Sequence, residues 1–154
     1  MAVYFLDSSA LVKRYINETG SAWVLGLLTP TLNSEFFVAA ITGVEIIAAI
    51  TRRARNGNIA AADAAAVCNQ LRSDLQTDYQ VVEITEGIIS SGMTLAETQG
   101  LRGYDAVQLA AGCAINELCV VNGLSPIIFV SADEELNLAA AHKGLLVENP
   151  NHYP

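Results

Sequence analysis

Short apolar runs alternate along this chain with longer stretches whose apolar residues recur at helical spacing. Ala2–Leu6 is continuously apolar, as a central parallel strand buried on both faces should be. Ser8 or Ser9 can cap the helix that follows, and Gly20 and Ser21 introduce another reaching Leu28. Glu35–Ala39 reads as a second strand, followed by helices over Thr42–Asn56 and Ile59–Thr77, which Gly57 separates as a helix C-terminal glycine. Tyr79–Ile84 reads as a third strand and Glu86–Gln99 as a helix ended by Gly100. Gly103–Val121 is helical, with Ala106, Leu109, Ala110, Cys113 and Ala114 supplying closely packed apolar surface. Ile127–Ser131 is the fourth strand, Asp133–His142 a helix, and Leu145–Glu148 a short last strand.

Strands alternating with helices at this spacing predict an α/β fold, a parallel sheet covered on both faces. Paired helices between the second and third strands, and between the third and fourth, are its less usual part. Nothing repeats and no Pro/Gly/Ser-rich linker divides the chain, so one domain is expected over residues 1–148, with 149–154 as a surface tail.

Composition narrows the class. The 154 residues suit a single domain with a real core. With 52% hydrophobic and 16% charged residues, the chain is neither disordered nor fibrous, and the apolar excess could feed an oligomer interface. No tract reaches the ~20 apolar residues needed to cross a membrane; the richest, Phe36 to Ile50, is interrupted by Thr42, Gly43 and Glu45. Met1–Leu6 is too short for a signal-peptide core. Cys68, Cys113 and Cys119 are odd in number, lack metal-ligand spacing and have apolar, helix-like neighbours, so buried free thiols in a reducing cytoplasm are expected. A net charge of −8 argues against broad adhesion to a phosphate backbone, though not against local attraction by metal ions and a few arginines.

Four acids carry the candidate chemistry. In open α/β sheets ligands bind outside the carboxyl ends of the strands. Asp7 follows the first strand, Asp133 stands two residues past the fourth, and Glu45 and Asp105 lie in the first turns of helices. Each has an ordinary alternative. Thr42–Glu45 matches a capping box, and Ser131 with Glu134 matches another that leaves Asp133 as a first-turn acid. Asp105 could serve the helix dipole or pair with Arg102, and Asp7 could be a turn residue. Together they weigh more. Hard cations such as Mg²⁺ and Mn²⁺ prefer oxygen ligands, and crowded carboxylates repel unless cations neutralise them.

Tyr4-Phe5-Leu6-Asp7-Ser8-Ser9-Ala10-Leu11-Val12-Lys13, Val44-Glu45, Leu101 through Asp105 to Ala110, and Phe129-Val130-Ser131-Ala132-Asp133 occur in order along the chain. In these motifs the sequence resembles PIN-domain ribonucleases, and among them VapC-type toxins of prokaryotic toxin–antitoxin pairs. The resemblance implies a three-layer α/β/α sandwich around a mostly parallel five-stranded sheet, usually homodimeric. It implies a Mg²⁺- or Mn²⁺-dependent endoribonuclease, often inhibited by a small VapB-type antitoxin. Asp7, Glu45, Asp105 and Asp133 would form its acidic quartet, Asp7 and Asp105 as direct ligands and Glu45 and Asp133 able to act through coordinated water. Ser9 and Ser131 would support the acids, with plain helix capping as the alternative. The implied mechanism is in-line attack of metal-activated water on an RNA phosphodiester, without help from His142 or His152.

Arg52 falls two helical turns after Glu45 on the same face and could bind phosphate, with Arg53 and Arg55 nearby. A solvated arginine face is the alternative. Lys13 and Arg14 are similar candidates with less geometry behind them, while Trp23 and Phe36–Phe37 suit packing or dimer contacts. Two rival functions stand beside the nuclease: a metal-dependent phosphohydrolase on a small phosphate ester, and a non-catalytic RNA- or protein-binding module. A haloacid-dehalogenase-like phosphatase would want an aspartate where Ser9 stands. A receiver domain would want an N-terminal acidic pair and a lysine after a late strand, whereas Lys143 follows the last long helix.

Overall fold

The computed structural model describes residues 1–154. Five strands, β1 (Val3–Leu6), β2 (Glu35–Ala39), β3 (Gln80–Val82), β4 (Ile128–Val130) and β5 (Leu146–Glu148), form one all-parallel sheet in the order β3-β2-β1-β4-β5. Seven α-helices connect them: α1 (Ser8–Tyr15), α2 (Ser21–Leu27), α3 (Ile41–Arg55), α4 (Ala61–Thr77), α5 (Glu86–Gln99), α6 (Gly103–Val121) and α7 (Glu134–His142). The expected strands and helices are all present, shifted by at most three residues at their ends.

The period-two alternation of the strands divides the core in two. Val3, Phe5, Ala39, Ile127 and Phe129 face α5, α6 and α7. Leu6, Val38 and Val130 face α1, α3 and α4 across the other layer. Phe5 and Phe129, paired in register, stack with ring centroids 5.5 Å apart. Gly112 of α6 fits against them because a Cβ there would meet the Phe129 ring at 2.9 Å. The paired helices between β2 and β3 and between β3 and β4 are α3–α4 and the antiparallel hairpin α5–α6. No helix is long and apolar enough to cross a membrane.

Three expectations need correction. Asp7, not Ser8 or Ser9, caps α1, because its side chain accepts the Ala10 amide while both serines lie inside the helix. The tail is only partly surface: Asn149 and Pro150 are buried, and Pro150–His152 forms a short 3-10 turn. Its backbone packs on Gly20 (φ +86°), where any side chain would collide with Pro150, and Tyr153 stacks on Trp23 at 4.8 Å. All three cysteines are free, but only Cys119 is fully buried.

Candidate metal centre and substrate groove

The strand order changes direction between β1 and β4, so their carboxyl ends flank the crevice where open α/β sheets take ligands. The Asp7 amide donates to Val130 O at 3.1 Å, extending the β1–β4 ladder by one residue, and the Asp7 side chain then starts α1. Its Oδ1 accepts the Ser9 hydroxyl at 2.8 Å and the Ala10 amide at 3.2 Å. Ser9 Oγ also accepts the Ala132 amide at 2.9 Å and lies 3.3 Å from Ser131 Oγ, which accepts the Asp133 amide at 3.1 Å. The two serines thus join α1 to the loop after β4.

Neither expected capping box forms. The Ala40 amide still donates to Val82 O in the sheet, and α3 begins at once with Ile41, so Thr42 is already past the cap position. Glu45 is left to accept Ser8 Oγ at 2.8 Å and Gln108 Nε2 at 2.9 Å, both on Oε1. Ser131 is likewise still tied to the sheet, its amide donating to Glu148 O at 3.1 Å, so Asp133 itself caps α7 by accepting the Leu136 amide on Oδ1 at 3.0 Å. A common pattern results. Protein donors hold Asp7, Glu45 and Asp133 each by one oxygen, and Asp105, in the first turn of α6, is free of protein hydrogen bonds to its side chain.

The acids feel one another. Burial pushes the Asp7 carboxyl up to about 7, and the charge of Asp105 adds to the rise. Asp105, half-buried, is also raised, first by burial and then by the fields of Asp133 and Glu45, with Arg102 opposing. Asp105 is therefore the electrostatic hub of the four, and the alternative in which it merely pairs with Arg102 does not dominate. No three His, Cys, Asp or Glu side chains close into a ready-made metal cage. The donors nonetheless suit a hard cation. They are carboxylate and hydroxyl oxygens without cysteine or histidine, and Mg²⁺ is commonly bound through one or two carboxylates with water completing its shell.

From Glu45 a groove of about 490 Å³ runs between α1 and α3, lined among others by Ser8, Ser9, Val44, Arg52, Arg53 and Tyr104. The structure brings Arg52 to this groove but not Arg55, and Arg53 is engaged with Glu18 at 3.1 Å. Lys13 and Arg14 are also occupied. Lys13 is buried and bonds to Glu18 and the Thr19 carbonyl, and the half-buried Arg14 bonds to Asp74, Asp78 and Tyr79. Phe36 stacks on Tyr4 within the fold, as a packing residue should. Two further buried residues join the hydrogen bonds around Glu45 without having been assigned a site role in sequence: Gln108, which donates to Glu45, and Thr42, which accepts from Gln108 and was read only as a helix cap. The position of Gln108, three residues after Asp105 on an otherwise apolar helix face, was the available signal.

No protein-family model matches the sequence, nor does any curated protein. Solved structures do match. PAE2754 from Pyrobaculum aerophilum is 22% identical, over 95% of this chain and 83% of that one, with a TM-score of 0.62. VapBC2 from Rickettsia felis, bound to a DNA fragment from its promoter, is 14% identical over 96% and 98% of the two chains, with a TM-score of 0.63. FitAB bound to a DNA fragment is 13% identical over 99% and 97%, with a TM-score of 0.67. The chain therefore has the PIN-like α/β fold that the resemblance implies, shared with these solved structures.

Proposed function

We propose that this protein is a Mg²⁺- or Mn²⁺-dependent endoribonuclease that hydrolyses RNA phosphodiesters, and that it acts as the toxin of a VapBC-type pair. The observation that carries the nuclease reading is the gathering of Asp7, Asp105, Asp133 and Glu45 about the β1–β4 switch point, with Asp7 buried and Asp105 half-buried within reach of its neighbours' charges. Uncompensated carboxylates there are a liability for folding alone and an asset for cation binding. Asp7 and Asp105 would hold the ion directly, and Glu45 and Asp133 would do so through water. When bound, the ion supplies a water of lowered pKa and neutralises charge that develops on the phosphate. The chain's own groups orient the reactants. Ser9 and Ser131 fix the Asp7 carboxylate and the loop of Asp133, and Arg52 offers a cation to the substrate phosphate along the groove.

The toxin reading is supported by the assemblies that share the fold, which include a toxin–antitoxin complex from Klebsiella pneumoniae. It brings with it a small VapB-type antitoxin, a homodimer and a cytoplasmic site of action. Purified protein should cut RNA only with Mg²⁺ or Mn²⁺, and Asp105→Asn should abolish cleavage. Efficient phosphomonoester turnover without nuclease activity would replace this reading with the phosphohydrolase, and neither activity would leave a binding module. Expression should arrest growth, with relief from the product of an adjacent small open reading frame. Harmless expression without that product removes the toxin role and leaves the nuclease to its own test.

A further inference from the structure

Gln108 is 1% exposed, one helical turn beyond Asp105 on α6. Its Nε2 lies 2.9 Å from Thr42 Oγ1, 2.9 Å from Glu45 Oε1 and 3.0 Å from Ser8 Oγ. An amide nitrogen carries two protons, so three acceptors compete for two, and Ser8 in turn donates its own proton to Glu45. Chemistry sets the orientation of the amide. Its NH₂ end faces Glu45 Oε1, which already accepts the Ser8 hydroxyl, and a carbonyl turned there would meet another acceptor. The consequence is visible at the far end, where Gln108 Oε1 is buried with no hydrogen-bond partner. A leucine or methionine would fill the same space without stranding a carbonyl, so packing alone does not account for a glutamine.

We infer that Gln108 is a positioning residue for Glu45, building on the metal-dependent nuclease reading above. Gln108 and Ser8 hold Glu45 by Oε1, Thr42 steadies the amide, and the second carboxylate oxygen is left for the ion's water shell. Because Asp105 and Gln108 share one face of α6, a single rigid helix sets the spacing between the hub acid and the clamp on its neighbour. Outer partners of this kind typically govern metal affinity and activity by roughly 10- to 100-fold.

The test uses Gln108→Leu and Gln108→Met in the full chain, with two variants so that a misfolded one does not decide the matter. Mn²⁺ affinity is measured by titration calorimetry, melting temperature in chelator, and kcat and KM on RNA. Expected are a roughly 10- to 100-fold loss of Mn²⁺ affinity, a fall in kcat larger than any rise in KM, and a metal-free melting temperature unchanged or higher. Stability and function moving in opposite directions separates positioning from support of the fold. Variants that bind Mn²⁺ and cut RNA like the wild type overturn the inference alone, as does a parallel loss of stability and affinity in both. Wild-type protein that neither binds Mn²⁺ nor cuts RNA overturns the nuclease reading and this inference with it.

Discussion

Asp7→Asn should stabilise the metal-free protein at neutral and alkaline pH while removing its response to metal. Asp7 is 3% exposed, and burial, aided by Asp105, lifts its carboxyl from 3.8 to about 7. Between those values the folded carboxyl holds a proton that the unfolded chain has released. Its contribution is therefore fully present below about pH 4 and is lost as pH rises through about 7. At about 1.36 kcal/mol per pH unit, keeping the folded Asp7 above pH 7 costs the protein about 4 kcal/mol. Asparagine carries no charge and caps a helix about as well as aspartate, so the Ala10 amide keeps its acceptor. The hydrogen bonds from Ser9 and Ala10 are already included in that value of about 7, since both hold the carboxyl lower than burial alone would. A gain of about 4 kcal/mol is therefore expected at pH 8, or about 8–16 °C in melting temperature for a chain of this length. Thermal unfolding of both proteins in chelator from pH 4 to 8 reads the difference, which should shrink toward zero at the acid end. Added Mn²⁺ should raise the melting temperature of the wild type more at pH 8 than at pH 5.5, since a ligating carboxylate must first lose its proton. A variant less stable than the wild type at pH 8, or a difference independent of pH, would refute the buried-charge argument.

Arg52→Ala should raise KM for RNA by roughly 10- to 100-fold, the worth of one charge-assisted phosphate contact, with kcat little changed. Steady-state kinetics on one RNA substrate decide it, and an equal effect of Arg55→Ala would mean that the groove does not guide the substrate. Gly112→Ala should destabilise the fold by about 1–3 kcal/mol by forcing apart the stacked Phe5 and Phe129 rings; denaturant unfolding with an unchanged midpoint would show that the rings have room to move.

The sheet was legible in the sequence because both faces of a parallel strand are buried, which leaves runs such as Ala2–Leu6 and Ile127–Ser131 almost free of polar residues. The positions of the four acids at strand ends and helix starts were legible as well. Their local geometry was not. Both capping boxes failed because long-range pairing sets the helix starts, and a four-residue pattern sees neither partner. Ala40, bonded to Val82, is already helical, so α3 begins before Thr42, while Ser131 is still bonded to Glu148, so α7 begins only after Asp133. Arg53 looked as available as Arg52 because its partner, Glu18, lies 35 residues away. The tail was misjudged on similar grounds, since the contact of Pro150 with Gly20 joins the two ends of the chain. Gln108 sat inside a motif that drew attention to Asp105, and a pattern of apolar positions has no means of marking one buried amide as a clamp.

The same census of charges bears on how a protein of net charge −8 would hold RNA. Of eight Lys and Arg residues, Lys13, Arg14 and Arg53 are committed to ion pairs within the fold. Arg52 in the groove and Arg102 beside Asp105 are the cations that the acidic cluster has at hand. Two phosphate contacts to a single strand give a logarithmic salt slope of about −1.4, against about −4 or steeper for a basic surface making six or more. Binding would then depend on the metal ion for position and on few counterions for strength. Raising monovalent salt from about 50 to about 200 mM at fixed Mn²⁺ should weaken KM by only about sevenfold. A loss of several hundredfold over that range would mean that the RNA lies on a cationic surface other than this groove, and the path from Glu45 to Arg52 would have to be abandoned as its course.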